Sequence, residues 1–155
     1  MPESGRTSLS APDEKLPPSI ERVLKLFSRM QREEKMQTLV AYAKKLEPLP
    51  DRFKNIGREN FTVPECMTRV DIFPEYREGL IHFYADLDVR QSPTIAAFLA
   101  ILLSAVNDQP PSTMLAIPGD FVRQVMENIG LAAREVGLNA MVARLKRHAR
   151  EAQAA

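Results

Sequence analysis

The spacing of hydrophobic residues changes twice along this 155-residue chain, and this change constrains the fold more than any other feature. Apolar residues recur at helical spacing up to about residue 46 and again from about residue 92. Between those segments, from about residue 61 to residue 85, they alternate with polar residues, as in half-buried strands. This order predicts an α+β fold in which a small antiparallel sheet of about three strands packs against several helices.

Two helices are predicted before the strands. Ser19 is the expected N-cap of the first helix, which has its apolar residues at helical spacing. The second is expected to run from Arg32 to Leu46 and to end before Pro48, because proline cannot donate the helical hydrogen bond. Its expected buried side consists of Met36, Leu39, Val40 and Ala43.

The middle of the chain predicts three strands and a turn. A short β-like run at 61–63 stops at Pro64, and residues 69–72 alternate as in a second strand. Pro74 to Gly79 is the expected turn, and 81–85 is the expected partner strand. Cys66 therefore falls in the loop between the first and second strands.

Three further helices are predicted after the strands. Ser92 and Pro93 suit a helix start, and the apolar run that follows suits a buried helix. Pro118 is the expected start of the next helix, and Gly130 its C-terminal stop. The last helix carries its apolar face on Leu138, Met141, Val142 and Leu145.

Residues 1 to 18 are rich in proline, serine and charge, which predicts a disordered tail before one domain at 19–151. The formal net charge of +1 argues against a dedicated nucleic-acid binder. The most apolar stretch, Ile95 to Val106, is too short to span a membrane. The N-terminus lacks the apolar core of a signal peptide, so we expect a cytoplasmic protein.

Most catalytic chemistries lack their residues in this chain. Two histidines and one cysteine, far apart in sequence, give no zinc-ligand spacing, so no metal site is expected. Glycine-rich phosphate loops and the G-x-S-x-G and H-E-x-x-H motifs are missing from the sequence. Asp86 and Asp88 follow a strand as a carboxylate pair, an arrangement that more often caps a turn than performs catalysis.

Cys66 is the one cysteine of the chain, so no intramolecular disulfide can form. A free cysteine usually acts as a small buried hydrophobe. A cysteine in a loop between strands is also well placed for reactivity. The residues alone leave both interpretations open.

The sequence around this cysteine resembles the SufE family. Residues 63–71, which read VPECMTRVD, are similar to the V-x-G-C-x-S-x-V-W motif around the family's acceptor cysteine. Residues 33–46, 85–88 and 131–141 resemble further family segments in the same order, the last being similar to L-x-P-S-R-x-x-G-x-x-x-M. The resemblance covers about residues 19 to 150 and implies a SufE/IscU-like fold.

The sequence departs from the family motif at two positions beside the cysteine. Glu65 replaces the glycine, and a non-glycine residue is strained there if the backbone needs a positive φ. Asp71 replaces the large aromatic residue.

The resemblance implies that Cys66 accepts persulfide sulfur from a cysteine desulfurase and stimulates that enzyme. The partner would be a SufS- or CsdA-like enzyme that uses pyridoxal phosphate, and the sulfur would pass to a SufBCD-type scaffold for iron–sulfur cluster assembly. The carrier, a monomer or weak dimer, would need no cofactor of its own. Asp88 corresponds to an acid near the cysteine loop and Arg134 to a basic residue at the desulfurase interface. Glu65 and Arg69 are further candidates for supporting the loop or binding the partner.

Two alternatives to the carrier role stay open. The chain could stimulate a desulfurase without using its cysteine, or it could be a small-molecule sulfurtransferase. Whether it counts as an enzyme is therefore not decided by the sequence, although an accessory role in sulfur transfer is the main expectation.

Overall fold

The structure, a computed structural model, describes residues 14–66, 68–130 and 135–154. Within these ranges it contains six α-helices and one two-stranded sheet. In chain order the elements are α1 (Pro18–Ser28), α2 (Arg32–Ala43), β1 (Asp71–Arg77), β2 (Leu80–Asp86), α3 (Pro93–Val106), α4 (Pro111–Leu115), α5 (Phe121–Ile129) and α6 (Glu135–Ala154). The α+β prediction is confirmed.

Helix α3 lies at the centre of the main hydrophobic core. Its sequence is almost entirely apolar, and such a helix is stable only where it is buried on most of its sides. It packs against α1, α2, α4 and β2. Phe98 of α3 stacks on Phe121 of α5, with ring centroids 5.6 Å apart. The helix begins at Pro93, as predicted.

The sheet is an antiparallel hairpin in which Asp71 pairs with Asp86 and Arg77 with Leu80. The predicted strand at 61–63 is reduced to one bridge, between Thr62 and Asp71 on the outer side of β1. The outer side of β2 is covered by Asn107, whose side chain accepts from the Phe83 N–H at 2.7 Å and donates to the Phe83 carbonyl at 3.1 Å.

The predicted turn at 74–79 is wrong, because β1 continues to Arg77 and the turn is formed by Glu78 and Gly79 alone. The Ile72 N–H donates away from β2, to the residue 61 carbonyl. Strand alternation directs the nitrogen of Pro74 to the same outer side. Proline therefore removes no hydrogen bond between the two strands.

The two faces of the hairpin are covered differently. One face, which includes Ile72 and Phe83, joins the main core beneath α3 and α6. The other face is covered by segment 47–62 of the chain. There a second apolar cluster consists of Leu49, Phe53, Phe61, Phe73 and Tyr84.

Four helix predictions need correction. Helix α5 begins at Phe121 rather than at the expected Pro118, and its N-cap is Asp120. Helix α1 begins at Pro18, so Ser19 is not its N-cap. Helix α2 ends at Ala43 rather than at Leu46, because residues 44–46 form a turn. Met36 and Val40, predicted to be buried, are 50% and 41% exposed, since α2 buries only its Leu39 and Ala43 side.

The N-terminal residues that the structure describes contact the rest of the protein. The Lys15 N–H donates to the Ala116 carbonyl at 2.7 Å, and Leu16 packs against the core. Residues 1–13 of the predicted tail lie outside the described residues, so the disorder of that tail stays a prediction.

His82 of β2 joins two loops through its ring. Its Nε2 lies 2.7 Å from Oε1 of Glu47, and its Nδ1 lies 2.9 Å from Oδ1 of Asp108. Burial lowers the pKa of His82, but the hydrogen bonds to Asp108 and Glu47 outweigh burial and raise the pKa above its usual 6.5. Folding therefore favours the imidazolium form.

The raised pKa of His82 predicts a pH-dependent contribution to stability. This contribution is fully present below the unfolded pKa of about 6.5 and is lost as the pH rises through the folded pKa. Urea unfolding of wild type and His82→Gln over a pH series should give the largest difference in unfolding free energy below about pH 6.5. His148, whose pKa is lowered by burial, has the opposite effect but is present in both proteins. A difference that grows with pH would contradict the prediction.

Candidate functional site

Cys66 lies in the middle of a short loop that is closed by backbone hydrogen bonds. The Val63 N–H donates to the Val70 carbonyl at 2.9 Å, and the Cys66 N–H donates to the Val63 carbonyl at 3.3 Å. The antiparallel pairing of the flanking residues thus closes residues 64–69 into a loop beside the sheet. Cys66 therefore precedes β1, but the strand predicted on its other side is only the bridge at Thr62.

The Cys66 thiol lies between the core and the surface. The residue is half-buried and packs against the main core. Gly137, in the first turn of α6, faces it directly. A Cβ atom at position 137 would lie 3.4 Å from Sγ and 3.6 Å from Cα of Cys66. Val136, the residue before Gly137 in the chain, is 73% exposed. The glycine therefore lets α6 approach the thiol closely without covering it.

The C-terminal half of the loop is fixed by a hydroxyl pair. Oγ1 of Thr68 lies 2.9 Å from Oγ of Ser92, a buried residue at the start of α3. Ser92 was predicted as the N-cap of α3 and does occupy that position, but its hydroxyl makes no capping hydrogen bond. The hydroxyl instead connects the loop to the central helix.

Asp71 is a buried carboxylate at the base of the loop. The alternating pattern of residues 69–72 predicted that it would face outward, and this is wrong: it is 1% exposed. Its carboxylate accepts a hydrogen bond from the Thr62 hydroxyl and pairs with Arg58 at 3.0 Å. Nε of Arg69 lies 3.4 Å away. These partners compensate the cost of removing the carboxylate from water.

Arg58 bridges two carboxylates that face each other across the sheet. Asp71 and Asp86 are direct cross-strand partners, an arrangement that is destabilising for like charges. Nη1 of Arg58 lies 3.0 Å from Asp71 and 2.5 Å from Asp86. The hydrogen bonds to Asp86 and Asp71 raise the pKa of Arg58 further above its ordinary value. One guanidinium thus neutralises the repulsion of the pair.

The two candidates next to the cysteine point away from the core. Glu65 is exposed, and its φ is not positive: among the described non-glycine residues only Glu78 and Asp108 have positive φ. The strain considered for a non-glycine residue at position 65 therefore does not arise. The Arg69 side chain is 66% exposed and pairs with Asp71.

Asp88 caps the turn that leads into α3. Its Oδ1 accepts from the backbone N–H groups of Arg90 at 3.1 Å and Gln91 at 3.2 Å, while the residue itself is exposed. The carboxylate pair seen in the sequence is therefore divided, since Asp86 binds Arg58 and Asp88 caps a turn. Arg134 lies outside the described residues.

An open cleft of about 650 Å³ brings several of these residues together beside the cysteine loop. Asp88 and Arg69 both line it, whereas Cys66 and Glu65 do not. Its lining residues are Arg58, Thr68, Arg69, Asp71, Asp86, Leu87, Asp88 and Gln91.

The described ranges contain no group of three or more His, Cys, Asp or Glu side chains that could hold a metal ion. Among the helices of those same ranges, none is long and apolar enough to cross a membrane.

Sequence reasoning missed two residues of this site. Arg58 lies in a segment without periodicity, so its position could not be predicted. The one available signal was the carboxylate of Asp71 in a strand expected to be half-buried, since such a carboxylate needs a cationic partner. Gly137 belongs to the C-terminal segment that resembles the SufE family, but its contact with Cys66 depends on how α6 packs against the loop.

The fold and the site define a small α+β protein that presents its one thiol on a loop beside a two-stranded sheet. The family model described as "Fe-S metabolism associated domain", SufE, matches residues 21–149. A SufE-like protein from two strains of Mycobacterium tuberculosis is 34% identical over 146 residues, covering 88% of this chain and 95% of the relative. The chain belongs to the SufE family, which is associated with iron–sulfur metabolism.

Two further comparisons agree with this assignment. SufE-like protein 1, chloroplastic/mitochondrial, from Arabidopsis thaliana is 33% identical over 114 residues, which are 71% of this chain and 29% of that protein. The solution structure of a hypothetical protein from Thermus thermophilus superposes with a TM-score of 0.75 at 27% identity. It covers 91% of this chain and 100% of its own.

The contact between Gly137 and Cys66 predicts opposite effects of one substitution on stability and on reactivity. In Gly137→Ala the new Cβ would make an ordinary contact with Sγ at 3.4 Å, without backbone strain. Alanine in place of helical glycine stabilises by up to about 1 kcal/mol. We expect equal or higher stability in urea unfolding and slower alkylation of Cys66 by iodoacetamide.

Val136→Ala is the matched control, because this exposed neighbour is not the α6 residue that faces the thiol. It should leave the alkylation rate unchanged. Faster alkylation in Gly137→Ala would show that Gly137 does not limit access to the thiol.

Proposed function

We propose that this protein accepts sulfur as a persulfide on Cys66 from a cysteine desulfurase and passes it on for iron–sulfur cluster assembly. The single observation that carries the proposal is the position of the chain's one thiol. Cys66 is half-buried at the centre of a closed loop, with a glycine as its neighbour on α6. Membership of a family associated with iron–sulfur metabolism supports the same role.

The chemistry is a displacement at sulfur. The Cys66 thiolate attacks the outer sulfur of the desulfurase persulfide, and a new S–S bond forms on Cys66. The S–S bond within the desulfurase persulfide breaks, and the desulfurase cysteine leaves as a thiolate. The number of S–S bonds is unchanged, so the step needs no oxidant and no reductant. A second displacement of the same kind delivers the sulfur to a scaffold of the SufBCD type.

The surroundings of Cys66 suit a carrier of reactive sulfur. A persulfide is easily oxidised, so it needs shelter until the partner arrives. The core and α6 provide shelter on the inner side, while exposed loop residues leave the outer side open. A reducing cytoplasm would keep the single thiol available for this chemistry.

We propose that the desulfurase binds on the surface around the cysteine loop. Glu65, Arg69 and Asp88 are exposed there, and Arg134 is the fourth candidate for this contact. One carboxylate oxygen of Asp88 accepts the hydrogen bonds of the turn before α3. Asp88→Asn keeps an oxygen that can accept these bonds and removes the charge, so it separates the two roles. The partner would be a SufS- or CsdA-like enzyme with its own pyridoxal phosphate.

The proposal predicts a sulfur adduct on one residue. Wild-type protein mixed with a cysteine desulfurase, pyridoxal phosphate and cysteine should gain the mass of one sulfur atom, located on Cys66 by peptide mass spectrometry. Cys66→Ser should gain none, because a hydroxyl cannot form the persulfide. Since serine is close in size to cysteine, the melting temperature of the variant serves as a check that it is folded.

The same samples decide between the proposal and its alternatives. If Cys66→Ser stimulates desulfurase turnover as well as wild type does, the chain acts as a cysteine-independent partner. If wild type turns over thiosulfate without any desulfurase, it is a small-molecule sulfurtransferase. No adduct with any of several desulfurases would reject the carrier role.

A further inference from the structure

A group of charged and hydroxyl side chains surrounds the base of the cysteine loop. We call it the Arg58 network, and its members are Arg58, Thr62, Arg69, Asp71 and Asp86. We propose that this network is a positioning device, which holds the base of the loop rigid so that movement that exposes Cys66 is confined to the segment between Val63 and Arg69. The proposal rests on the proposed sulfur-acceptor role of Cys66.

The first argument is the order of these residues along the chain. Thr62 comes before Cys66 and Arg69 after it, and both bind the same carboxylate, that of Asp71. Arg58, also before the loop, is the third partner. One buried carboxylate therefore joins the two sides of the loop, in addition to the backbone hydrogen bond between Val63 and Val70.

The second argument is electrostatic. Asp71 is 1% exposed and lies directly opposite Asp86 in the sheet. Without Arg58, two carboxylates would face each other at the edge of a core, where like charges repel strongly. The guanidinium at 3.0 Å and 2.5 Å turns this repulsion into an attraction that pulls residue 58 onto the hairpin. The segment before the loop is thereby attached to both strands.

The third argument is the contrast with the loop itself. Within the described part of the loop, one further side-chain hydrogen bond lies outside the Arg58 network. It is the hydroxyl pair between Thr68 and Ser92. Such a neutral bond is weaker than the ionic contacts at the base. The loop can therefore open at Thr68 while its base stays closed. Asp71 stands where the family motif has a tryptophan, so the network belongs to this chain rather than to the motif.

The test compares Asp71→Asn with Arg52→Gln as a matched control. Arg52 pairs with Glu75 and donates to the Tyr84 hydroxyl on the same face of the sheet, but at the end remote from the loop. Asparagine keeps the shape of Asp71 and removes the repulsion with Asp86, so folding is not at risk from like charges. Arg58→Lys is a second variant, which keeps the charge but loses the planar fork that reaches both carboxylates.

Three quantities are measured on each full-length variant: the melting temperature, the rate of Cys66 alkylation by iodoacetamide, and kcat and KM for persulfide uptake from a desulfurase. We expect Asp71→Asn and Arg58→Lys to speed alkylation roughly threefold to tenfold, because the open state of the loop becomes more populated. We expect kcat for uptake to fall in both variants, because the thiol is less well placed. KM should be unchanged in Arg58→Lys, which keeps the pair between Asp71 and Arg69 and with it the proposed partner surface. Arg52→Gln should change only the melting temperature.

Two results would overturn the proposal. One is an alkylation rate in Asp71→Asn equal to that of wild type. The other is an equal increase in Asp71→Asn and Arg52→Gln, which would mean that general loss of stability exposes the thiol. Alkylation involves no desulfurase. Its rate therefore tests whether the network holds the loop, even if wild type takes up no sulfur at all. If wild type takes up sulfur and the variants do not differ from it, the positioning role of the network is rejected while the sulfur-acceptor role is kept.

Discussion

The structure depends on one constraint, which is that a two-stranded hairpin alone is at best marginally stable in water and must pack against other elements. Helices α3 and α6 cover one face with the main core. Segment 47–62 covers the other face with a second apolar cluster. Two arginines of this segment also bind the hairpin: Arg58 at the end near the cysteine loop and Arg52 farther from it. The cysteine loop is the continuation of this covering segment into β1. Cys66 is thus attached to the part of the chain that covers this face of the sheet.

The sequence predicted the elements whose pattern is local. Helix α3 begins at the predicted residue because an N-cap position followed by proline is a local signal, and Gly130 ends α5 with a φ of +93° for the same reason. The errors arise where tertiary contacts decide. Met36 and Val40 look like core residues, but α2 is turned so that another side is buried. Pro74 looks like a turn residue, but it lies within β1 with its nitrogen facing away from β2.

The candidate site could likewise be predicted only where the signal is local in the sequence. Cys66 was singled out as the one cysteine of the chain, the residue pattern around it predicted a loop, and the resemblance to the SufE family implied its role. The buried state of Asp71 could not be predicted, because a carboxylate is expected at the surface unless its partner is known. That partner, Arg58, is thirteen residues away, in a segment whose pattern does not predict where it packs. The approach of Gly137 likewise depends on helix packing.

The side chain of Asn107 has a consequence for how this protein meets others. An open strand edge offers free N–H and carbonyl groups to any extended chain, which is the usual route to aggregation. Asn107 occupies both groups of Phe83 with its own amide, and on the opposite edge Pro74 has no N–H to donate. At these two positions the sheet does not favour strand pairing, so in the proposed encounter with a desulfurase the cysteine loop would be the part that is recognised.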